Sequence, residues 1–367
     1  MSAATKDALA DRRPQMPEKY TWLRQATSIA ERCFVSLCVP TSDIDDARSR
    51  LAEGAREGSV IDVVLKRVVA IKIPGEDSTW SDMHFEVRIL QEIRRQAYPR
   101  SGGEHCIDVL DHYDMEAMAQ VEPGWLVMAS SSVCSDLQGV FAYDVRDPIS
   151  KALLWLAITQ LYEALYFLHR DCKPPITHGD ISEEAILVSF QYEEGKNGES
   201  AIAKRPKISL IGFAESEIHD PTDSPDGLGR KNRAEEEDVE SLASAIHSLI
   251  NRCYEDEEWT SEGRGKAITR LQRTFWKDDT PEEVKRFVAA VGARDSESLW
   301  ADIGNFAKEQ LDKVSNEEWE ELRDLIIAVT EAEGKLRDIV KDLLKGQVAK
   351  TQAFSLSSWS CGDMYES

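Results

Sequence analysis

Apolar positions in this chain follow two different rhythms. From 149 to 169 they recur at helical spacing, with Leu153, Leu154, Ala157, Ile158, Leu161, Leu165 and Leu168 on one wide face, as a buried helix requires. Met83, Val87, Leu90 and Ile93 repeat that spacing within 79–97. Residues 21–33 (TWLRQATSIAERC) read as a short helix, and 34–50 alternate weakly before a charged stretch. Residues 58–73 read as two β-branched strands joined by a Lys66-Arg67 turn. Further strand runs lie at 106–113, 124–129, 185–190 and 207–213, and Tyr192–Ser200 has hairpin character. From 237 almost to 347 the pattern is helical. Residues 1–20 are polar, and 349–367 are Ser-rich without periodicity, the composition of a disordered tail. The order predicts an α+β fold with a small β-rich unit at 34–130 and a larger helical unit at 131–348, preceded by an extension at 1–33.

Chemistry-bearing residues cluster at the joints of this pattern. Val69-Ala70-Ile71-Lys72 ends a strand, and Glu86 follows fourteen residues later within a helix. Ile176-Thr177-His178-Gly179-Asp180 precedes the apolar strand Ile186-Leu187-Val188, and Ile208-Ser209-Leu210-Ile211-Gly212-Phe213 ends the next one. Asp238-Val239-Glu240-Ser241-Leu242-Ala243 opens a helix with Val239, Leu242, Ala245, Ile246 and Leu249 on its apolar face. His169-Arg170-Asp171 reads as the end of the long helix, since no apolar strand follows it at the right distance.

Taken in order, these segments resemble the protein-kinase superfamily over about residues 50–300: V-A-I-K, the catalytic loop, the Asp-Phe-Gly segment and the D-V-W-S-L-G helix. The resemblance implies a two-lobed kinase-like fold. Lys72 would pair with Glu86 and meet nucleotide phosphates, Gly54 and Gly58 would belong to a degraded glycine-rich loop, and Val60, Ala70 and Leu187 would enclose adenine. Asp180 would be a vestigial base, and Asp238 would hydrogen-bond the catalytic-loop backbone. Leu90, His178 and Phe213 would stack as a column between the lobes, and Ser224-Pro225-Asp226 resembles A-P-E. The family's two metal-holding positions carry Ala185 and Gly212, which offer no side-chain oxygen to a hard cation. The implied function is that of a pseudokinase, a protein-interaction or allosteric scaffold that binds ATP without metal if at all. Two alternatives are a divergent active kinase recruiting Glu184 or Glu215 to magnesium, and a small-molecule phosphotransferase, whose H-G-D loop is similar to His178-Gly179-Asp180.

Composition narrows the partners. The net charge of −23 disfavours nucleic acid and favours basic protein partners. No apolar run reaches bilayer length, and the N-terminus lacks an apolar signal core. Seven scattered cysteines without a C-x-x-C pattern point to reduced thiols and an intracellular location, cytoplasmic or nuclear. The stripe Trp319, Leu322, Ile326, Val329 within 313–347 is a candidate contact surface, with packing onto the helical unit as its plainer reading.

Overall fold

A computed structural model describes residues 17–29, 33–74, 80–97, 102–113, 124–143, 149–194, 200–219, 225–253, 296–332 and 335–346. The expected tail, the residues before 17 and those from 254 to 295 lie outside this set. The protein is mixed α+β. Its first half is organised by a five-stranded antiparallel sheet of β1 (Tyr20–Ile29), β2 (Cys33–Pro40), β3 (Val69–Pro74), β4 (Val109–His112) and β5 (Leu126–Ala129), in the order β1-β2-β3-β5-β4.

The expected helix at 21–33 is in fact strand β1, paired with β2. Register shifts at Leu23 and Ala26 explain the misreading. Each bulge adds a residue, so inward positions recur every third residue, which imitates a helix. The boundary expected between 33 and 34 falls inside β2, after its first residue Cys33, and so cuts β1 from the sheet it belongs to.

Two helices, α1 (Thr41–Ala52) and α2 (Glu57–Leu65), connect β2 to β3. The run at 58–65 was expected as a strand. Its apolar positions Val60, Ile61, Val64 and Leu65 fall on one helical face, and all four are buried. Here packing overrides the β preference of Val and Ile.

The two faces of the sheet are closed differently. One carries Cys38, Val69, Ile71, Ile73 and Val127, with Tyr20, Trp22 and Trp125 at its margin. Helix α3 (Trp80–Ala97) covers the β3–β5–β4 end of the other face, burying Met83, Val87, Leu90 and Ile93 against Val109, Leu126 and Met128. At the β1–β2 end of that face, Leu23, Leu37 and Val39 are buried beneath α1 and α2.

The chain then runs through β6 (Val133–Asp136), α4 (Leu137–Tyr143) and α5 (Lys151–Tyr166). Ser150 caps α5 by accepting from the Ala152 amide. A π turn, Phe167–Asp171, ends it, as expected of a helix reaching His169. There follow β7 (Ile176–Thr177), β8 (Ile186–Phe190), the hairpin β9 (Tyr192–Glu194) and β10 (Ser200–Ile202), β11 (Lys207–Leu210) and β12 (Glu217–Ile218). Strand β8 is central between β6 and β11, and β12 pairs with β7. The remaining helices among the described residues are α6 (Pro225–Cys253), α7 (Ser296–Leu311), α8 (Asn316–Ala332) and α9 (Leu336–Leu344).

Helix α5 is the axis of the second half. Trp155 meets Phe306 of α7 edge-on at 5.8 Å, and Lys308 of α7 pairs with Glu163 at 2.9 Å. In α8, Trp319, Leu322, Ile326 and Val329 are buried, and Thr330 donates to the Cys134 carbonyl of β6. That stripe is core and not contact surface. Helix α9 leaves the second half and joins Leu336, Val340 and Leu344 to the core under β1 and β2.

The helical state of 57–65 makes Gly58 a liability, since a Cβ there would meet open space. Gly58→Ala should raise unfolding stability by about 0.4–1 kcal/mol, read as a higher urea midpoint at unchanged slope.

Candidate functional site

Lys72 and Ala70 lie on the face of β3 that α3 and the α1–α2 pair cover, since side chains alternate along a strand. Helix α3 brings Glu86 to that face, and the Lys72 ammonium donates to Glu86 Oε2 at 2.7 Å. The pair is buried, with side-chain exposures of 11% and 1%. Burial works against the Lys72 charge, but the carboxylate of Glu86 outweighs it and holds the ammonium pKa above its ordinary value. Glu86 Oε1 is buried without a hydrogen-bond partner. Leu126 and Val35 flank Lys72 across the strands, and Leu37 and Met128 flank Ala70.

The segment Thr177–Asp180 is held by α6. Asp238 Oδ2 accepts from the His178 amide and from His169 Nε2, and Oδ1 accepts from the Gly179 amide, all at 2.8 Å. His178 Nε2 donates to the Ile211 carbonyl at 3.0 Å, while its Nδ1 accepts from the Asp180 amide. Burial lowers the His178 pKa, so the ring is neutral in this arrangement. Its ring lies 4.6 Å from that of Phe213, and Leu90, His178 and Phe213 are all fully buried. Helix α3 packs against the turn Phe213–Glu215, and Leu90 and Phe213 belong to one apolar core.

Two glycines act differently at this junction. Gly179 has φ +83°, and a Cβ would sit 2.3 Å from the Glu215 carbonyl oxygen. Only glycine lets the two backbones approach so closely. Gly212 has nearly the same angle, φ +81°, yet a Cβ there would meet nothing within 4 Å. The place where the kinase pattern carries an aspartate is thus an open space over Phe213.

Residues after Phe213 are tied back to the loop. Ser216 Oγ donates to the His178 carbonyl at 2.8 Å, the His219 amide donates to the Pro175 carbonyl, and Thr177 Oγ1 and His219 Nε2 are 2.9 Å apart. Ser216 is buried. Asp226, expected to end an activation segment, lies in the first turn of α6, opened by Pro225 at the position where a missing amide costs nothing. Thr222 and Ser224 lie outside the described residues.

Other expected site residues divide clearly. Ala70 and Leu187 pack against one common core. Asp180 is exposed at the loop tip, and Ala185 is buried in a 3-10 turn beside it. Gly54, Gly58 and Val60 are a correction: Gly54 turns the chain after α1, Gly58 lies in α2, and Val60 is buried in the α1–α2 core. They therefore form no phosphate loop and no adenine wall. A loop between the paired strands β1 and β2 can only be Ala30-Glu31-Arg32, which has no glycine and lies outside the described residues. Glu184, considered as a substitute metal ligand, faces Asp136, whose own pKa burial raises; Asp136 caps α4 through the Gly139 amide. Among the described residues no three His, Cys, Asp or Glu side chains converge as a metal site would need.

Sequence reading missed the His169–Asp238 bond and the tie through Ser216. Asp238, expected to open its helix, lies within α6, which already begins at Pro225. A signal for the bond was present: a carboxylate beside an apolar helix face needs donors, and His169 stood at the end of the other apolar helix. Comparison of the sequence with protein-family models finds no match, and neither does comparison with curated proteins.

Burial raises the Asp238 pKa, but the His169 hydrogen bond and charge and the amides of Gly179 and His178 outweigh it, so the carboxyl titrates below its ordinary value. The ionised form thus contributes stability that is complete above about pH 4 and is lost as the pH falls through the lowered value. Asp238→Asn should cost about 3–5 kcal/mol at pH 7, because three donors then face an amide. That difference from wild type should shrink toward pH 3 in urea titrations.

Gly212→Ala should cost about 1–2 kcal/mol, the left-handed penalty alone. Gly179→Ala should cost more, because the Glu215 backbone must also move; paired urea curves compare the two.

Proposed function

We propose that this chain is a pseudokinase, a protein-kinase-like domain whose output is protein binding and not phosphoryl transfer. The observation that carries the reading is a positioned frame around absent ligands. Lys72 is paired with Glu86, and Asp238 clamps the His178-Gly179 amides, as the kinase resemblance implies. The two places where the family holds magnesium are Ala185 and Gly212. Phosphoryl transfer depends on neutralising phosphate charge, and neither residue can hold the cation that does so. The residues present do not fit a magnesium–nucleotide complex.

The covering of the sheet supports the same conclusion. Leu37 and Val39 share the Ala70–Lys72 face and are 1% and 0% exposed, covered by α1 and α2. Adenine laid under β1 and β2 would have to displace that apolar packing. Beside Lys72, Val35 and Ala70 are half-buried. The bolting of 213–219 onto the loop leaves little free chain for docking a peptide substrate. The acidic surface suits basic protein partners, and nucleic acid is disfavoured on the same ground.

Thermal unfolding with ATP tests this, because a ligand bound only to the native state raises the melting temperature. The expected result is no magnesium-dependent shift in wild type. A magnesium-dependent shift that disappears in Lys72→Ala would overturn the reading in favour of an active kinase. The double substitution Ala185→Asn with Gly212→Asp restores both ligands in a space that admits the second. It should create magnesium-dependent binding only if packing under the sheet leaves room for the base, so a null result there assigns the block to α1 and α2.

A further inference from the structure

Helix α9 closes the N-terminal core from the far end of the chain. Leu336, Val340 and Leu344 recur every fourth residue and are buried with Leu23, Leu37, Val39, Ile44, Val60 and Val64. One place after each stands a cation: Arg337, Lys341 and Lys345. Arg337 pairs with Asp62 at 2.6 Å, and Lys341 and Lys345 reach Glu57 at 3.8 and 3.9 Å. Arg48 of α1 donates to the Leu343 carbonyl at 2.8 Å and so closes the helix C-terminus. The helix is an apolar row with a basic row beside it, lying in an apolar groove with an acidic rim.

The helix and its groove are unequally secured. The groove is made by β1, β2, α1 and α2, which are continuous with the five-stranded sheet. The helix has nine residues and no side-chain bond at its N-cap. A helix of that length has little stability of its own in water. Its ion pairs are exposed, with side chains 34–56% accessible, and are weakened by salt. What holds it is chiefly the apolar row.

We propose that this groove is a docking site for an amphipathic partner helix with a basic edge, and that α9 occupies it in cis as a displaceable internal ligand. The partner is specified by the chemistry of α9: apolar residues at every fourth position and Lys or Arg immediately after each. Helix-in-groove recognition uses such anchors, and the net charge of −23 draws a basic helix toward the acidic rim. Displacement exchanges one helix for another without exposing the face of β2 beside Ala70. The inference rests on the pseudokinase reading only for its biological use; its test involves no nucleotide, so either can fail alone.

The probe is a labelled peptide with the sequence of residues 333–347, titrated by fluorescence anisotropy into full-length protein. Val340→Asp weakens docking of the internal helix and leaves the groove unchanged. It should bind the peptide at least tenfold more tightly than wild type. Adding Glu57→Lys and Asp62→Lys should remove that gain. No gain in a folded Val340→Asp protein, or a gain indifferent to the charge reversals, overturns the proposal. Should Val340→Asp unfold, hydrogen exchange of wild type decides. Amides of 338–344 exchanging at least tenfold faster than those of β2 and β3 support a displaceable helix, and equal protection overturns it. A wild-type dimer that the peptide dissociates would assign the groove to a second copy of this chain, and would overturn the assignment to a foreign helix.

Discussion

One buried carboxylate ties together three separate parts of the chain. Asp238 receives the imidazole at the end of α5 and two successive amides of the loop after β7, and it is anchored in the apolar face of α6. Charged hydrogen bonds of this kind each contribute about 1.5–3 kcal/mol, and a buried carboxylate left without them is costly. The loop conformation follows from that anchor, and with it the position of His178 against Phe213. The Lys72–Glu86 pair is a second, independent fixture, which holds β3 against α3.

Asp238 and the Lys72–Glu86 pair thus fix the loop after β7 and the β3–α3 junction by separate means. On the reading proposed above, the side chains they position serve no phosphoryl transfer. Asp180 projects from the loop into solvent, and the left-handed turn at Gly212 presents hydrogen in place of a carboxylate. The interactions that remain are those that folding itself demands. Apolar burial and satisfied backbone amides keep the architecture whether or not chemistry is performed.

Legibility of the sequence varied with what each residue depends on. Helices α3, α5 and α8 were readable, because one periodic apolar face decides each. The Lys72–Glu86 partnership was readable through the kinase resemblance, and the geometry agrees with it. Strand β1 was not, because two bulges replaced its alternation with a spacing of three. Helix α2 was not, because its composition favours a strand and only its neighbours α1 and α9 make a helix the better way to bury Val60 and Val64. From that one local error the misplaced glycine loop at Gly54 and Gly58 followed. The need for glycine at 179 was invisible, since it is set by the Glu215 carbonyl across the site.

The return of α9 has a consequence for how the chain is made. Arg337 and Asp62 are 275 residues apart in sequence, and the ion pair joins the last described helix to one of the first. Synthesis delivers Asp62 275 residues ahead of Arg337, at about 5–20 residues per second. Through that interval the core of β1, β2, α1 and α2 waits as an open apolar trough, and the nascent protein depends on whatever shelters that trough until α9 leaves the ribosome.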